Sequence, residues 1–259
     1  MTRIYTLVNQ KGGVGKTTTA INLGAYLAKM GKSVLVVDLD PQANATSSLG
    51  VDKRTVQSST YDALLTNDVP ASSILFNERL QLSLLPSSPA LAGAEVELVE
   101  EADREFKLKH ALESMDGKYD YILIDCPPSL GILTVNGLVA SRDGVLVPVQ
   151  CEYLALEGLG QISQTIERIR SVLFPDLRVR GVILTMFDPR TNLSSDVVKE
   201  VNNHFPGQVF KSIIPRSIRL AEAPSYGLPI SAYAPNSVGA KAYESLAKEL
   251  LIDDENKLD

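Results

Sequence analysis

Residues 8–18 read VNQKGGVGKTT, only a few positions from the start of the chain. The residues IYTLV at 4–8 run straight into the glycines. From Lys16 the chain continues KTTTAINLGAYLAK, with small and apolar residues at helical spacing. Strand, glycine-rich loop and helix in that order is the context in which Gly-Lys-Thr ends a phosphate-binding loop. Gly12, Gly13 and Gly15 allow backbone N–H groups to face inward without a Cβ clash, and the N-terminus of the helix adds a field that favours an anion. In such a loop Lys16 reaches the β- and γ-phosphates, Thr17 Oγ ligates Mg2+, and Thr18 bonds on the α-phosphate side. The loop has two unusual features. The pattern G-x-x-x-x-G-K-[ST] wants a glycine where this chain has Gln10, and Lys11 places a second cation inside the loop.

Outward from this unit, short apolar runs alternate with longer helical patterns. Strands are expected at 4–8, 33–38, 80–85, 121–125, 144–149, 179–186 and 209–214, most of them nearly continuous in Val, Ile and Leu, as in strands buried on both faces. Helical patterns cover 16–30, 154–173, 194–204 and 237–251. Alternating β and α predicts an α/β fold, a mostly parallel twisted sheet with helices on both faces, of the P-loop NTPase type. Nothing reads as a linker or repeat, so residues 1–259 are expected to form one domain. An N-terminal helix-turn-helix has no room before the first strand. The segment 51–89 is the least regular.

Hydrophobic content of 44% and charged content of 22% are ordinary for a globular protein. Cys126 and Cys151 are the only cysteines and lack metal-ligand spacing, which suits reduced core thiols of a cytoplasmic protein. No apolar run reaches membrane-spanning length. The net charge of −6 argues against a nucleic-acid binder as a whole, yet between Arg178 and Arg219 there are seven Lys/Arg against three Asp/Glu.

Carboxylates stand where the strands end. SVLVVDLDPQ finishes a strand with Asp38 and Asp40, one residue apart and on the same side while the chain stays extended. In open α/β sheets ligands sit at the carboxyl ends of the strands. Asp38 could bond the phosphate-loop helix or magnesium-bound waters, and spacing leaves the two open. YDYILIDCPPSLG is an apolar strand ending in Asp125, which reads as a carboxylate that holds a Mg2+-bound water, and Pro127-Pro128 stops that strand.

The loop KGGVGKT resembles the deviant Walker A motif of the ParA/MinD family of P-loop ATPases. The likeness extends through VVDLDPQ, ILIDCPPSLG, VPVQCEYLALEGL, LTMFDPRTNLS and IPRSIRLAEAPSYG, across nearly the whole chain. The last two blocks resemble the short chromosomal-type ParA branch. The resemblance implies an ATPase with Mg2+ as cofactor and an ATP-binding loop of Gln10, Lys11, Gly12, Gly13, Val14, Gly15, Lys16, Thr17 and Thr18. It implies that Lys11 crosses a dimer interface to the partner's nucleotide, and that Asp40 orients the attacking water beside the metal-bound waters. It further implies that Glu152 bonds the opposite subunit's ribose or phosphate loop and that the chain near Pro215 contacts adenine. In this branch an ATP-bound homodimer binds double-stranded DNA without sequence preference. Arg190 and Arg219 match arginines used for that purpose, and Lys199, Lys211, Arg216 and Lys241 are further candidates. A ParB-type centromere-binding partner stimulates hydrolysis, intrinsic turnover is slow, and the protein is cytoplasmic and nucleoid-associated. A MinD-like membrane regulator is the alternative, but it needs a basic amphipathic C-terminal helix and the tail here carries DDEN. A nitrogenase-type iron–sulfur reductase needs cluster cysteines in a setting that Cys126 and Cys151 lack.

Overall fold

β1 (Arg3–Leu7) lies inside a seven-stranded sheet whose other strands are β2 (Val34–Asp38), β3 (Leu75–Asn77), β4 (Leu82–Leu85), β5 (Tyr121–Asp125), β6 (Gly144–Gln150) and β7 (Val179–Thr185). The spatial order is β3-β4-β2-β5-β1-β6-β7, and every pair is parallel except β3–β4. This computed structural model describes residues 2–153 and 155–256, without the side chains of 155–158. In chain order the helices are α1 (Lys16–Lys29), α2 (Asn44–Ser48), α3 (Thr60–Thr66), α4 (Leu91–Glu97), α5 (Lys107–Glu113), α6 (Ile132–Ala140), α7 (Ala155–Val172), α8 (Asn192–His204), α9 (Ile218–Glu222), α10 (Ile230–Tyr233) and α11 (Val238–Glu255).

The apolar runs make sense once both faces are covered. On β2, Val34 and Val36 join the core under α1 and α11, whereas Leu35 and Val37 face α3, α4 and α5. β5 repeats this, with Tyr121 and Leu123 on the first face and Ile122 and Ile124 on the second. A period of two with both phases apolar is what a buried parallel strand requires. A third cluster packs α6, α7 and α8 on β6 and β7. Cys126 and Cys151 are buried and free.

Two elements differ from expectation. The run 209–214 follows β7 only through isolated bridges, Val182 with Val209 and Phe187 with Pro215. Its middle is taken by a side chain, because the Glu249 carboxylate on α11 accepts from Lys211 N (2.6 Å) and Ser212 N (2.9 Å). The expected strand at 80–85 begins at Leu82, and an antiparallel edge strand, β3, precedes it. All three β3 residues are exposed, so no burial pattern marked them.

At the amino end of the sheet Asp254 fastens α11. Its carboxylate, 2% exposed as a side chain, accepts from Tyr5 Oη (2.8 Å), Arg180 Nη2 (2.9 Å) and Tyr121 Oη (3.2 Å). At the other end the register sets Leu7 and Asp38 both opposite Asp125, so the start of the glycine loop and two carboxylates share one level. The chain runs from β1 towards β2 on one side and from β5 to β6 on the other. That reversal opens a crevice at the carboxyl ends of the strands.

Candidate active site

The loop leaves the sheet after Val8, whose N–H still bonds Leu146 O at 3.1 Å. Gly13 (φ 74°) and Gly15 (φ 91°) adopt left-handed backbone that a side chain would strain. Gly15 also caps α1 without a side-chain acceptor, and no acidic residue follows in the first turn. The first N–H groups of α1 therefore remain available to an anion in the cleft. Thr185 Oγ1 donates to Val14 O (2.8 Å) and pins the loop to β7. Lys16 is 7% exposed, and its ammonium donates to Asn9 O (2.9 Å) and Lys11 O (3.3 Å). Burial lowers its pKa, and the nearby Asp125, Cys126 and Asp40 pull the other way. A desolvated ammonium held only by two carbonyls is primed for a phosphate.

The cleft over this loop, about 480 Å³, is lined by Gly12, Gly13, Gly15, Lys16, Thr17 and Thr18, and on the far side by Asp40, Gln42 and Pro128. Asp125, at the end of β5, lies near Lys16, Thr17 and Asp40 of this lining. It is fully buried, and both carboxylate oxygens lack a hydrogen-bond partner. Burial first, and then the charge of Asp38, raise its pKa well above the usual carboxylate range, while Thr17 and Lys16 oppose that rise. Orphaned hard oxygens beside the Thr17 hydroxyl and Asp40 fit Mg2+, which keeps several waters and takes few protein ligands. Among the described residues no group of three or more His, Cys, Asp or Glu forms a metal cage, and Mg2+ needs none.

Asp38 does something neither sequence alternative foresaw. Its Oδ2 accepts from Thr46 N and Thr46 Oγ1, both at 2.7 Å, and its Oδ1 from Asp40 N at 3.2 Å. It thus anchors the segment that carries Asp40 and starts α2. Burial pushes its pKa up to about 6 in spite of these bonds. Asp40 Oδ1 accepts from Gln42 N (2.8 Å) and Asp40 O from Ser87 Oγ (2.8 Å), so the residue is held from both sides with its carboxylate at the cleft.

A second, more apolar cleft of about 240 Å³ shares Gly15, Thr18 and Met186 with the first. Pro215, Leu220, Ala221 and Tyr243 line it, and Arg216 N bonds Phe187 O at 2.9 Å. The cleft over the glycine loop and a more apolar space therefore adjoin. Gln10 sits apart, its amide donating to Thr165 Oγ1 on α7 (3.1 Å). Glu152 lies on the surface and accepts from Arg216 Nη2 at 2.8 Å.

The other candidate cations are exposed, and most are paired within the chain. Arg190 forks onto Asp188 through Nε (2.9 Å) and Nη2 (2.6 Å). Arg219 Nη1 bonds Glu222 Oε2 at 2.9 Å, and Lys199 Nζ lies 3.5 Å from Asp196. Lys211 bonds Glu249 through its backbone, and Lys241 is exposed on the first turn of α11. Arg190, Arg216 and Arg219 all follow β7 in the chain, and Arg216 also lines the second cleft.

Residues 2–179 match the AAA domain family. Over 251 residues, 96% of this chain and 98% of the relative, the sequence is 53% identical to the sporulation initiation inhibitor protein Soj of Bacillus subtilis. It is 51% identical to the chromosome partitioning protein ParA of Myxococcus xanthus, over 98% of this chain and 90% of that one. The chain belongs to the ParA/Soj family of partitioning ATPases. Its fold superimposes with a TM-score of 0.85 on cobyrinic acid a,c-diamide synthase of Mycobacterium smegmatis, solved with bound ADP and magnesium, at 41% identity over 97% of this chain and 94% of that one.

Three residues of this ParA-family site carry no sequence motif of their own: Asn9, Thr46 and Thr185. Asn9 stands where a strand breaks into a turn, a position at which Asn side chains bond local backbone. That is a faint signal. Thr46 and Thr185 gave none, because the bonds of Thr46 to Asp38, eight residues back, and of Thr185 to Val14, on a distant strand's loop, both depend on how the chain folds back.

Proposed function

We propose that this chain is an ATP-driven DNA-segregation switch. ATP closes a homodimer, the dimer binds double-stranded DNA without sequence preference, and hydrolysis stimulated by a ParB-type partner releases it. The observation that carries the reading is the buried, unpartnered Asp125 beside Lys16 and Thr17 at the end of a glycine loop. A bare carboxylate there is unfavourable unless a cation and phosphates complete the site.

ATP phosphates displace the Asn9 and Lys11 carbonyls from the Lys16 ammonium and accept the free N–H groups of α1. Thr17 and Asp125 would hold Mg2+, the latter through water, and the ion supplies positive charge to the phosphoryl oxygens. Asp40 accepts a hydrogen bond from the attacking water, whose oxygen bonds to the γ-phosphorus as the bond to the β-phosphate oxygen breaks. ADP leaves with that electron pair, and the water's proton passes to phosphate. Lys11 of each subunit neutralises charge on the partner's γ-phosphate, so catalysis depends on dimerisation. Pro215 and its neighbours seat the base, and Glu152 reaches the opposite subunit. Without the partner protein, turnover is slow.

Arg190, Arg219 and Arg216, with Lys199, Lys211 and Lys241, contribute phosphate contacts, and joining two such faces offsets the −6 charge of each chain. The protein works in the cytoplasm on the nucleoid. The membrane-regulator reading is disfavoured by the last turn of α11, where the exposed acidic side chains of Asp253 and Glu255 follow the exposed Ile252 and would repel anionic lipid. No helix among the described residues is long and apolar enough to cross a membrane.

Size-exclusion chromatography with ATP, with ADP and without nucleotide, for the native chain and for Asp40→Ala and Lys11→Ala, tests the cycle. Each sample is then offered DNA and anionic vesicles. The expected pattern is an ATP-dependent dimer that retains DNA, persistent in Asp40→Ala and absent in Lys11→Ala. Equal DNA affinity under all three nucleotide conditions would refute the switch, and ATP-dependent sedimentation with vesicles would favour the membrane reading.

A further inference from the structure

Asn9 is 3% exposed and makes three hydrogen bonds that converge on the loop. Its Nδ2 donates to Pro148 O on β6 at 2.7 Å. Its Oδ1 accepts from Lys11 N at 3.0 Å, and its backbone oxygen accepts from Lys16 Nζ at 2.9 Å. One buried residue therefore touches both lysines of the loop, one through its main chain and the other through its side chain.

The ladder explains why a side-chain amide is needed. β1 and β6 are in parallel register from Tyr5 with Gly144 to Leu7 with Leu146, and Val8 N bonds Leu146 O. In a parallel pair the next carbonyl of β6 to face β1, that of Pro148, would accept from the N–H of residue 10 if β1 continued. It does not continue, because the loop begins. The Asn9 amide takes that place, and its oxygen turns the chain back by capping the N–H two residues on, a local bond that Asn forms readily. Asp could reproduce the acceptor, but only an amide supplies the donor and acceptor together.

We infer that Asn9 is a positioning residue: it ties the start of the phosphate loop to β6 and sets where Lys11 is presented, without itself touching nucleotide. The inference rests on the proposed trans role of Lys11 for its functional consequence, but not for its structural one. Lys16 keeps its acceptors in any Asn9 variant, since Asn9 offers it a main-chain oxygen. Loss of the side chain should thus separate nucleotide binding from dimerisation.

The test compares Asn9→Ala, which loses both side-chain bonds, with Asn9→Asp, which keeps the acceptor for Lys11 N and much of the size. In the nucleotide-free protein, hydrogen exchange of the Lys11 amide should be at least about tenfold faster in Asn9→Ala and intermediate in Asn9→Asp, which loses the donor to Pro148 O and sets a carboxylate oxygen against it. Asn9→Ala should bind a fluorescent ADP analogue within about threefold of native. It should also need at least about tenfold more protein to form the ATP-dependent dimer. Adding Asn9→Ala to Lys11→Ala should weaken dimerisation no further, because both remove the same contact. Native exchange at Lys11 in Asn9→Ala, or dimerisation of that variant at native concentrations, overturns the inference. If the native chain itself does not dimerise with ATP, the trans role of Lys11 fails, and the exchange comparison still decides the role of Asn9. Should Asn9→Ala not fold, Asn9→Asp decides it through the lost donor to Pro148 O: ATP-dependent dimerisation of that variant at native protein concentrations would overturn the inference.

Discussion

Asp125→Asn should make the nucleotide-free protein more stable at neutral pH while removing its ATPase activity. The native carboxylate is fully buried with neither oxygen hydrogen-bonded, and the nearby Lys16 and Thr17 offset only part of the cost of its charge. An isosteric amide is also unpartnered but carries no charge. The gain is the cost of the buried charge, about 1.4 kcal/mol for each pH unit above the unfolded carboxylate pKa over which the folded group stays protonated. For a chain of this size each such unit is about 3–6 °C in melting temperature. The pH dependence gives the sharper test. Burial raises the folded-state pKa of Asp125, so the folded protein holds its proton longer than the unfolded chain does. The native form is then favoured below the unfolded carboxylate pKa of about 4, and that favour is lost as pH rises towards the folded value. The melting-temperature advantage of Asp125→Asn should therefore be larger at pH 8 than at pH 5, as read by scanning calorimetry without nucleotide. With Mg2+ and ATP the native chain should gain stability and the variant much less. If Asp125→Asn is less stable than native at pH 8 without ligand, or the difference does not change with pH, the carboxylate is not a charge buried at a cost and the argument fails.

Thr46→Val removes the donor to Asp38 Oδ2 and the acceptor for Ser87 N (2.9 Å), and should cost about 2–4 kcal/mol by urea unfolding. Because the hydroxyl favours the charged form of Asp38, whose pKa is about 6, the deficit should shrink as pH falls from 8 to 5. Asp254→Ala leaves Arg180, 6% exposed as a side chain, with only the half-exposed Asp253 at 3.6 Å, and should destabilise by up to about 3–5 kcal/mol while the phosphate loop, at the opposite end of the sheet, keeps its ADP affinity. Arg190→Ala removes a surface cation and should leave the melting temperature unchanged. DNA binding should weaken with every sequence tested, and the slope of log affinity against log salt should fall by about 1.

Much of this was legible in the chain itself. A strand of IYTLV, three glycines and a helix opened by Lys16 can form only one local structure, and the apolar strands demand cover on both faces. The position of Asp125 at the end of β5 was legible because a carboxylate ends an apolar run next to such a unit. The role of Asp38 was not, since it depends on Thr46 returning from a five-residue helix whose small polar residues carry no apolar stripe. The run 209–214 has strand composition, but Glu249, some 37 residues on, competes for its N–H groups. Cation pairing was also hidden. Arg190 with Asp188 is a neighbouring contact that sequence could suggest, whereas Arg216 with Glu152 spans 64 positions and depends on the fold.

The nucleotide-free site concentrates arrangements that a protein core ordinarily avoids. Asp125 lacks partners, the Lys16 ammonium is desolvated against two carbonyls, and α1 begins without a side-chain cap. Each disfavours the empty state, and on the proposed reading each is relieved by the same ligand, phosphate oxygens satisfying Lys16 and the helix N–H groups and the accompanying cation satisfying Asp125. Asp38 shows that the fold can satisfy a buried carboxylate on the neighbouring strand, with three donors. The two aspartates stand at the same register, yet one holds the Asp40 segment and the other has no hydrogen-bond partner, which under the proposed cycle couples ligand binding to stability.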